Sequence, residues 1–174
     1  MQLEHPLPKS VLKMLNARIK YLRKHIEKAT ATMTELKDKS SSLKEVVDKL
    51  TEVKGVACNT ALSLVVAMPE LGSIPSKQAA SLAGLAPFNR DSGQLRGKRM
   101  IQGGRKEIRQ TLYMAALAAS RSNHILSPYY KQLLERGKPK KLALTAVMRK
   151  LLLHLNTLMK QHLETQNHIS EETI

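Results

Sequence analysis

The feature that most constrains this chain is a regular apolar spacing in its first fifty residues. From Leu12 onward, a stripe position recurs at alternating steps of three and four residues. The positions are Leu12, Leu15, Ile19, Leu22, Ile26, Ala29, Met33, Leu36, Ser40, Leu43, Val47 and Leu50. Because two such steps make a heptad, this spacing is typical of a coiled coil. The sequence therefore predicts a coiled coil over residues 9–53, after an extended N-terminus over residues 1–8.

The repeat has one weak point, at Ser40-Ser41-Ser42, where a serine takes a stripe position beside two further poor helix formers. This composition predicts a bend or an antiparallel return in the helix. The spacing also suits a helix that packs on its own domain, so an intramolecular bundle stays an alternative to association between chains. The coiled-coil interpretation predicts a homo-oligomer.

The composition of the whole chain favours an all-α fold. Hydrophobic residues make up 42% of the 174 residues, which is enough for a packed core, but aromatic residues make up only 3%. Most of the apolar residues are Leu, Ala, Val, Ile and Met, and most of these favour helices. The single cysteine, Cys58, excludes an internal disulfide, and the histidines lack metal-ligand spacing, so we expect no structural metal.

The net charge of +15 is concentrated in the middle of the chain. Residues 54–163 carry 18 basic and 4 acidic side chains, whereas residues 1–53 carry 11 and 7. An excess of this size repels itself unless an anion neutralises it, so the expected partner is nucleic acid. No membrane partner is expected, because no apolar run approaches roughly 18 residues. The N-terminus does not begin as a signal peptide does, which predicts a cytoplasmic protein.

A compact helical domain is predicted over residues 54–163, followed by an acidic and disordered tail over residues 164–174. The domain begins with a glycine turn between two helices. Helix-hairpin-helix modules use such a turn, and the helix N-terminus after it, to bind one DNA phosphate. The phosphate-binding hairpin would be Gly55, Val56 and Ala57, with Ala57 where the usual pattern has a second glycine. A plain αα-hairpin is the alternative.

A glycine-rich basic loop follows at residues 84–104, which hold five of the chain's eight glycines. Glycine exposes backbone N–H groups and arginine forks onto phosphate oxygens, so the loop suits a sugar–phosphate backbone. The predicted nucleic-acid-binding residues lie in the basic stretch from Phe88 to Arg109, which begins in this loop and continues directly after it: Arg90, Arg96, Lys98, Arg99, Arg105, Lys106 and Arg109. A second basic cluster, Lys138, Lys140 and Lys141, lies at the start of a long predicted helix. A bound phosphate and a solvated cluster account for it equally well.

Ser92 lies within the loop, between Asp91 and Gly93. Asp-Ser-Gly is the usual composition of a turn. The alternative is a serine nucleophile that attacks a phosphodiester, with the flanking arginines stabilising the transition state. The chemistry alone favours the turn, since no histidine or paired carboxylate lies nearby in the sequence to act as a base.

Several short motifs occur in one order between about residues 50 and 160. They are Ser81 to Pro87, Ser92-Gly93, Arg96-Gly97, Gly103-Gly104, Ile108-Arg109, Leu112 to Ala116, Tyr129-Tyr130, Arg136 to Lys141 and Ala146 to Leu151. In this order the chain resembles the C-terminal domain of the bacterial insertion sequence one-hundred-and-ten transposase family. The preceding coiled coil is similar to that of the family as well.

The resemblance implies a DNA transposase, an enzyme of DNA recombination, in which Ser92 attacks DNA and forms a phosphoserine link. It also implies DNA and a structured guide RNA as partners, and an N-terminal RuvC-like nuclease domain that binds Mg²⁺. Residues 54–163 have too few acidic side chains for such a metal site. We therefore expect a C-terminal fragment that lacks the nuclease domain, has no cofactor of its own and is inactive alone.

Two alternatives to a catalytic fragment stay open. The first is a non-catalytic fragment that binds nucleic acid and forms oligomers. The second is a purely structural coiled-coil protein.

Overall fold

The computed structural model describes residues 8–88 and 100–172, and in them the predicted all-α fold is confirmed. The helices are α1 (Lys9–Lys39), α2 (Ser41–Thr51), α3 (Cys58–Ala67), α4 (Ser76–Leu82), α5 (Lys106–Ser122), α6 (Leu126–Glu135) and α7 (Lys140–Glu172). The two strands described, β1 (Pro87–Phe88) and β2 (Met100–Ile101), pair antiparallel. The chain divides into two compact units between Lys44 and Glu45.

The first unit consists mainly of α1, a single helix of 31 residues. The helix ends at Ser40, whose backbone is extended, with φ −115° and ψ 108°. The hydroxyl of Ser40 accepts a hydrogen bond from the backbone N–H of Leu43, at 3.3 Å, and so caps the next helix. The interruption expected among the three serines therefore lies at Ser40.

None of the residues of α1 is buried. We use the name α1 stripe for its large exposed apolar residues at heptad positions: Leu12, Leu15, Ile19, Leu22, Ile26, Met33 and Leu36. Their exposed fractions run from 36% to 65%. A row of this length is unusual on a surface without a partner. The coiled coil between chains stays a prediction.

The second unit has its core around α5 and α7. Helix α7 packs against α4, α5 and α6, while α3 packs on α5. The buried apolar side chains of the two central helices are Ile108, Leu112, Ala115, Ala116 and Ala119 in α5 and Ala143, Leu144, Val147, Met148, Leu151, Leu152, Leu155 and Met159 in α7. The small alanines of α5 let neighbouring backbone approach closely. Gly55 does so, since a Cβ at this position would lie 2.6 Å from the Cβ of Ala119.

Two buried asparagines join the turns to this core. The side-chain amide of Asn156 donates to the carbonyl of Ile74 and its oxygen accepts from the N–H of Gly72, both at 2.9 Å. Asn123 donates to the carbonyl of Lys54 at 2.9 Å and accepts from the N–H groups of the residues that begin α6. Both asparagines thus satisfy backbone groups that would otherwise be buried without a partner.

Helix α7 differs from the sequence-based expectation in its length. It continues to Glu172, so most of the tail that we expected to be disordered is helical. No glycine or proline follows Pro139 to end the helix, and Lys160 pairs with Glu164 at 3.6 Å, one turn later.

The segment of α7 from residue 140 to residue 168 is also long and apolar enough to cross a membrane, judged by length and composition. Half of its most apolar window is buried inside the protein. Leu151, Leu152 and Leu155 are completely buried there. Its apolar character is therefore that of a core helix.

Candidate nucleic-acid interface

The two ends of the basic loop lie side by side. Pro87 pairs with Ile101 and Phe88 pairs with Met100 in the β1–β2 ribbon. The backbone N–H of Arg105 donates to the carbonyl of Leu82 at 2.8 Å, which joins the start of α5 to the end of α4. The chain therefore leaves and rejoins the helical unit at one place.

Two glycines make this junction possible. Gly84 ends α4 with a φ of +65°, and the N–H of Leu85 then donates to the carbonyl of Ala80 at 2.8 Å. Gly104 has a φ of +66° and packs against the backbone of Gly84. A side chain at either position would overlap the opposing backbone, so both positions require glycine.

Arg105, which we predicted to bind nucleic acid, contacts the protein itself. Its guanidinium donates to both carboxylate oxygens of Glu70, at 2.9 and 2.6 Å, and to the carbonyl of Ala67 at 2.7 Å. Mainly through this side-chain hydrogen bond, Arg105 lowers the pKa of Glu70 from 4.5 to about 2. The pair fixes the first residue after the loop to the segment that follows α3.

The other two predicted residues at this end of the loop, Lys106 and Arg109, differ in their contacts. Arg109 lies one turn after Arg105 and donates to the carbonyl of Gly103. Lys106 lies between them and is exposed. Arg105 and Arg109 thus hold the end of the loop, and Lys106 is the one of the three that is exposed. Phosphate contacts by these residues stay predictions.

The centre of the basic loop, residues 89–99, lies outside the described residues. The predicted nucleophile Ser92 belongs to this segment, as do Arg90, Arg96, Lys98 and Arg99. The structure gives the positions of the two residues that flank the segment, Phe88 and Met100.

The base of the loop faces the second basic cluster. A groove of about 700 Å³ lies between the β1–β2 ribbon and the first turns of α7, and we call it the ribbon groove. Its polar and charged lining is Lys138, Lys141, Thr145 and Arg149. Its apolar lining includes Met100, Ile101 and Leu142. Lys140 is exposed at the start of the helix but does not line the groove.

Arg149 is a further candidate for binding nucleic acid, and it was not among the residues predicted from the sequence. Lys141, Thr145 and Arg149 follow one another at steps of four, which places them on one face of a helix. The spacing is visible in the sequence. The sequence does not show that this face borders the ribbon, because the ribbon and α7 are distant in the chain.

The three residues of the predicted phosphate-binding hairpin are not among the residues that line the ribbon groove. Gly55 packs against Ala119, Val56 is buried, and Ala57 is exposed immediately before α3. Ala57 provides no side-chain cap, so the first N–H groups of α3 have no capping side chain. Phosphate binding by the hairpin stays a prediction.

In the described ranges, 8–88 and 100–172, no group of three or more His, Cys, Asp or Glu side chains is placed to hold a metal ion. We therefore assign no metal ligand within these ranges.

Comparison with known proteins gives one family and several relatives. A model described as "Transposase IS116/IS110/IS902 family" matches residues 47–131. The chain is 33% identical over 126 residues to a pilin gene-inverting protein of Moraxella bovis and 32% identical over 126 residues to that of Moraxella lacunata. It is 31% identical over 102 residues to an uncharacterized 43.6 kDa protein of insertion element IS110 from Streptomyces coelicolor.

These matches cover much of this chain and less of the relatives. The aligned region is 70% of this chain and 39% of each pilin gene-inverting protein. For the insertion element protein the figures are 58% and 25%. The family match contains the whole basic loop, both of its anchoring strands and the hairpin at Gly55. Through residues 47–131, this chain belongs to the IS116/IS110/IS902 transposase family.

Proposed function

We propose that this chain is the DNA-binding, serine-bearing part of a transposase that exchanges DNA strands. The observation that carries the proposal is the family match over residues 47–131, which includes the whole basic loop and its anchors. The relatives from Moraxella are named for the inversion of a gene, which is a DNA rearrangement. DNA would lie along the basic loop and the neighbouring Lys138 and Lys141, in the cytoplasm.

The chemistry assigned to Ser92 is a transesterification. The serine oxygen attacks a phosphorus atom of DNA, a serine–phosphate bond forms, and one phosphorus–oxygen bond of the DNA breaks. The serine gives up its proton, and the released DNA hydroxyl takes one up. Because one phosphoester replaces another, rejoining needs no external energy source. Mg²⁺ would belong to a nuclease domain, and a structured guide RNA is part of the same proposal.

The decisive experiment is capture of the covalent intermediate. The chain is combined with a nuclease domain of the family, a guide RNA and labelled target DNA, and protein–DNA adducts are separated under denaturing conditions. We expect an adduct that maps to Ser92 and disappears in Ser92→Ala. The matched control is Ser81→Ala, since Ser81 is an exposed serine within the same family match. An adduct that persists in Ser92→Ala would show that this serine is not the nucleophile.

DNA binding is tested separately from catalysis. The affinity for a DNA duplex is expected to fall steeply with salt, by about 10³-fold or more between roughly 50 and 200 mM if six or more phosphates are contacted. Arg96→Ala combined with Arg99→Ala should weaken binding and reduce the salt slope, while Ser92→Ala should leave both unchanged. Binding that does not depend on salt would contradict the proposed interface.

The second candidate function is a non-catalytic fragment that binds nucleic acid and associates through α1. The exposed α1 stripe favours it, because association requires only this surface and the basic one. The two candidates differ in the adduct experiment. The non-catalytic fragment binds DNA with the same salt dependence but forms no adduct at Ser92.

A further inference from the structure

The ribbon groove combines an apolar surface with a cationic rim. Three large apolar side chains are more than half exposed in this region: Phe88 at 52%, Met100 at 56% and Leu142 at 52%. Met100 and Leu142 line the groove, and Phe88 lies directly opposite Met100 in the ribbon. Phe88 is the only phenylalanine of the chain. Exposed apolar residues that cluster in this way mark a binding surface more often than isolated ones do.

Among the residues that the structure describes, the charged side chains that line the groove are all basic. They are Lys138, Lys141 and Arg149. The ion pairs formed among the described residues involve other lysines and arginines. The groove therefore presents three cations to a ligand that must be both anionic and partly apolar.

Unpaired DNA fits these two requirements better than a duplex does. A duplex offers phosphates to the rim but keeps the faces of its bases stacked inside, so the apolar surface would gain nothing. An unpaired strand offers phosphates and free base faces together, and bases stack on aromatic and apolar side chains. We propose that the ribbon groove binds unpaired nucleotides of the DNA strand on which the neighbouring loop acts.

This proposal rests on the proposed function, because that function brings a DNA strand to the loop. It adds the ribbon groove as a binding site and unpaired DNA as the form of the substrate that binds there. Phe88, Met100 and Leu142 would contact the bases, and Lys138, Lys141 and Arg149 would contact the flanking phosphates. A strand held in the groove would pass beside Met100, which directly follows residues 89–99 in the chain.

The test compares oligonucleotides that differ only in their bases. The full chain is titrated with a labelled thymidine oligomer of about twelve nucleotides, with an abasic strand of the same length and with a duplex of that length. We expect the thymidine oligomer to bind at least about fivefold more tightly than the abasic strand, which corresponds to one stacked base. Equal affinity for the two strands would overturn the proposal.

Variants on two different elements test whether the preference for a strand with bases depends on the ribbon groove. Leu142→Ser in α7 and Met100→Ala in β2, both of which line the groove, should each reduce the preference for bases without changing the affinity for the abasic strand. Arg149→Ala should weaken both strands by a similar factor. The matched control is Val66→Ser on α3, a residue that is 76% exposed and does not line the groove. Circular dichroism confirms that each variant is folded.

The outcomes separate this proposal from the proposed function. Salt-sensitive duplex binding without a preference for bases would overturn the groove and leave the DNA-binding function standing. Failure to bind any of the three nucleic acids would remove both. A uridine oligomer of RNA that binds more tightly than the DNA oligomer, with the same dependence on Leu142, would assign the groove to RNA and overturn the DNA assignment.

Discussion

The carboxylate of Glu70 accepts two hydrogen bonds from the guanidinium of Arg105, a residue 35 positions later in the chain. Such a bidentate pair is stronger than a pair joined by one hydrogen bond. The two side chains are 34% and 37% exposed, so solvent screens part of the attraction. The pair still has a measurable signature, because it lowers the pKa of Glu70 from 4.5 to about 2.

The sign of the pH effect follows from this direction. A carboxyl whose pKa is lower in the folded state stabilises the fold above its unfolded-state pKa, and that contribution is lost as the pH falls towards the folded value. We expect the melting temperature of the wild type to fall more than that of Glu70→Gln between about pH 4.5 and pH 2. Thermal unfolding followed by circular dichroism measures it.

The control for this comparison is Glu107→Gln. Glu107 is an exposed carboxyl in the first turn of α5 and belongs to none of the ion pairs found among the described residues, so Glu107→Gln should keep the effect of the pair between Glu70 and Arg105. Parallel curves for the wild type and Glu70→Gln would contradict the assignment.

Asn156 is the second residue for which a single change has a defined effect. In Asn156→Ala, the N–H of Gly72 and the carbonyl of Ile74 lose their partner in a buried place. We expect the free energy of unfolding to fall by about 1–3 kcal/mol. Asn59→Ala is the matched control, because Asn59 is exposed, and a change there should be nearly neutral. Denaturant unfolding measures both; equal stability of the two variants would contradict the buried role.

At the scale of elements, the packing of the hairpin on α5 depends on one glycine. Gly55 has a φ of +106°, and a Cβ there would lie 2.8 Å from the backbone of Ala119. Gly137 also has a positive φ, +72°, but a Cβ there would meet nothing within 4 Å. Gly137 therefore shows the cost of a positive φ without close packing, whereas Gly55 combines close packing with a φ farther from the left-handed helical region.

Gly137→Ala should cost about 1 kcal/mol, the penalty of a left-handed backbone alone. Gly55→Ala should cost about 1–3 kcal/mol more, because the hairpin must move away from α5 as well. Denaturant unfolding of the two variants gives the difference. If the two costs are equal, the hairpin does not need its close contact with Ala119.

Prediction of these elements from sequence succeeds where the cause is local. The alternating spacing from Leu12 to Leu50 predicts helix, and Ser40 interrupts it for a reason visible in its neighbours. Contacts between distant segments have no such signal. The packing of the helices brings Glu70 close to Arg105 and places Met100 and Leu142 on one groove. The sequence analysis therefore predicted neither the ion pair nor the ribbon groove.

At the scale of the whole molecule, we propose that chains associate through the α1 stripe. The stripe is exposed along several turns of α1, and a heptad pattern of this kind is buried when a second helix packs on it. We expect the chain to sediment as an oligomer, and the combination of Leu15→Glu with Leu22→Glu to shift it to a monomer. Ala17→Glu combined with Ala31→Glu, which adds the same charge on the face opposite the stripe, is the control. Sedimentation as a monomer by the wild type would exclude this association.

The anchoring of the basic loop has a consequence for how such a protein diversifies. The strand pair, the Gly84–Gly104 contact and the hold of Arg105 and Arg109 are all made by residues outside the segment 89–99. Substitutions within that segment therefore remove none of the residues that form these contacts. Positions in this segment that the proposed chemistry does not use can therefore change from one descendant to the next, while the helical frame is inherited unchanged.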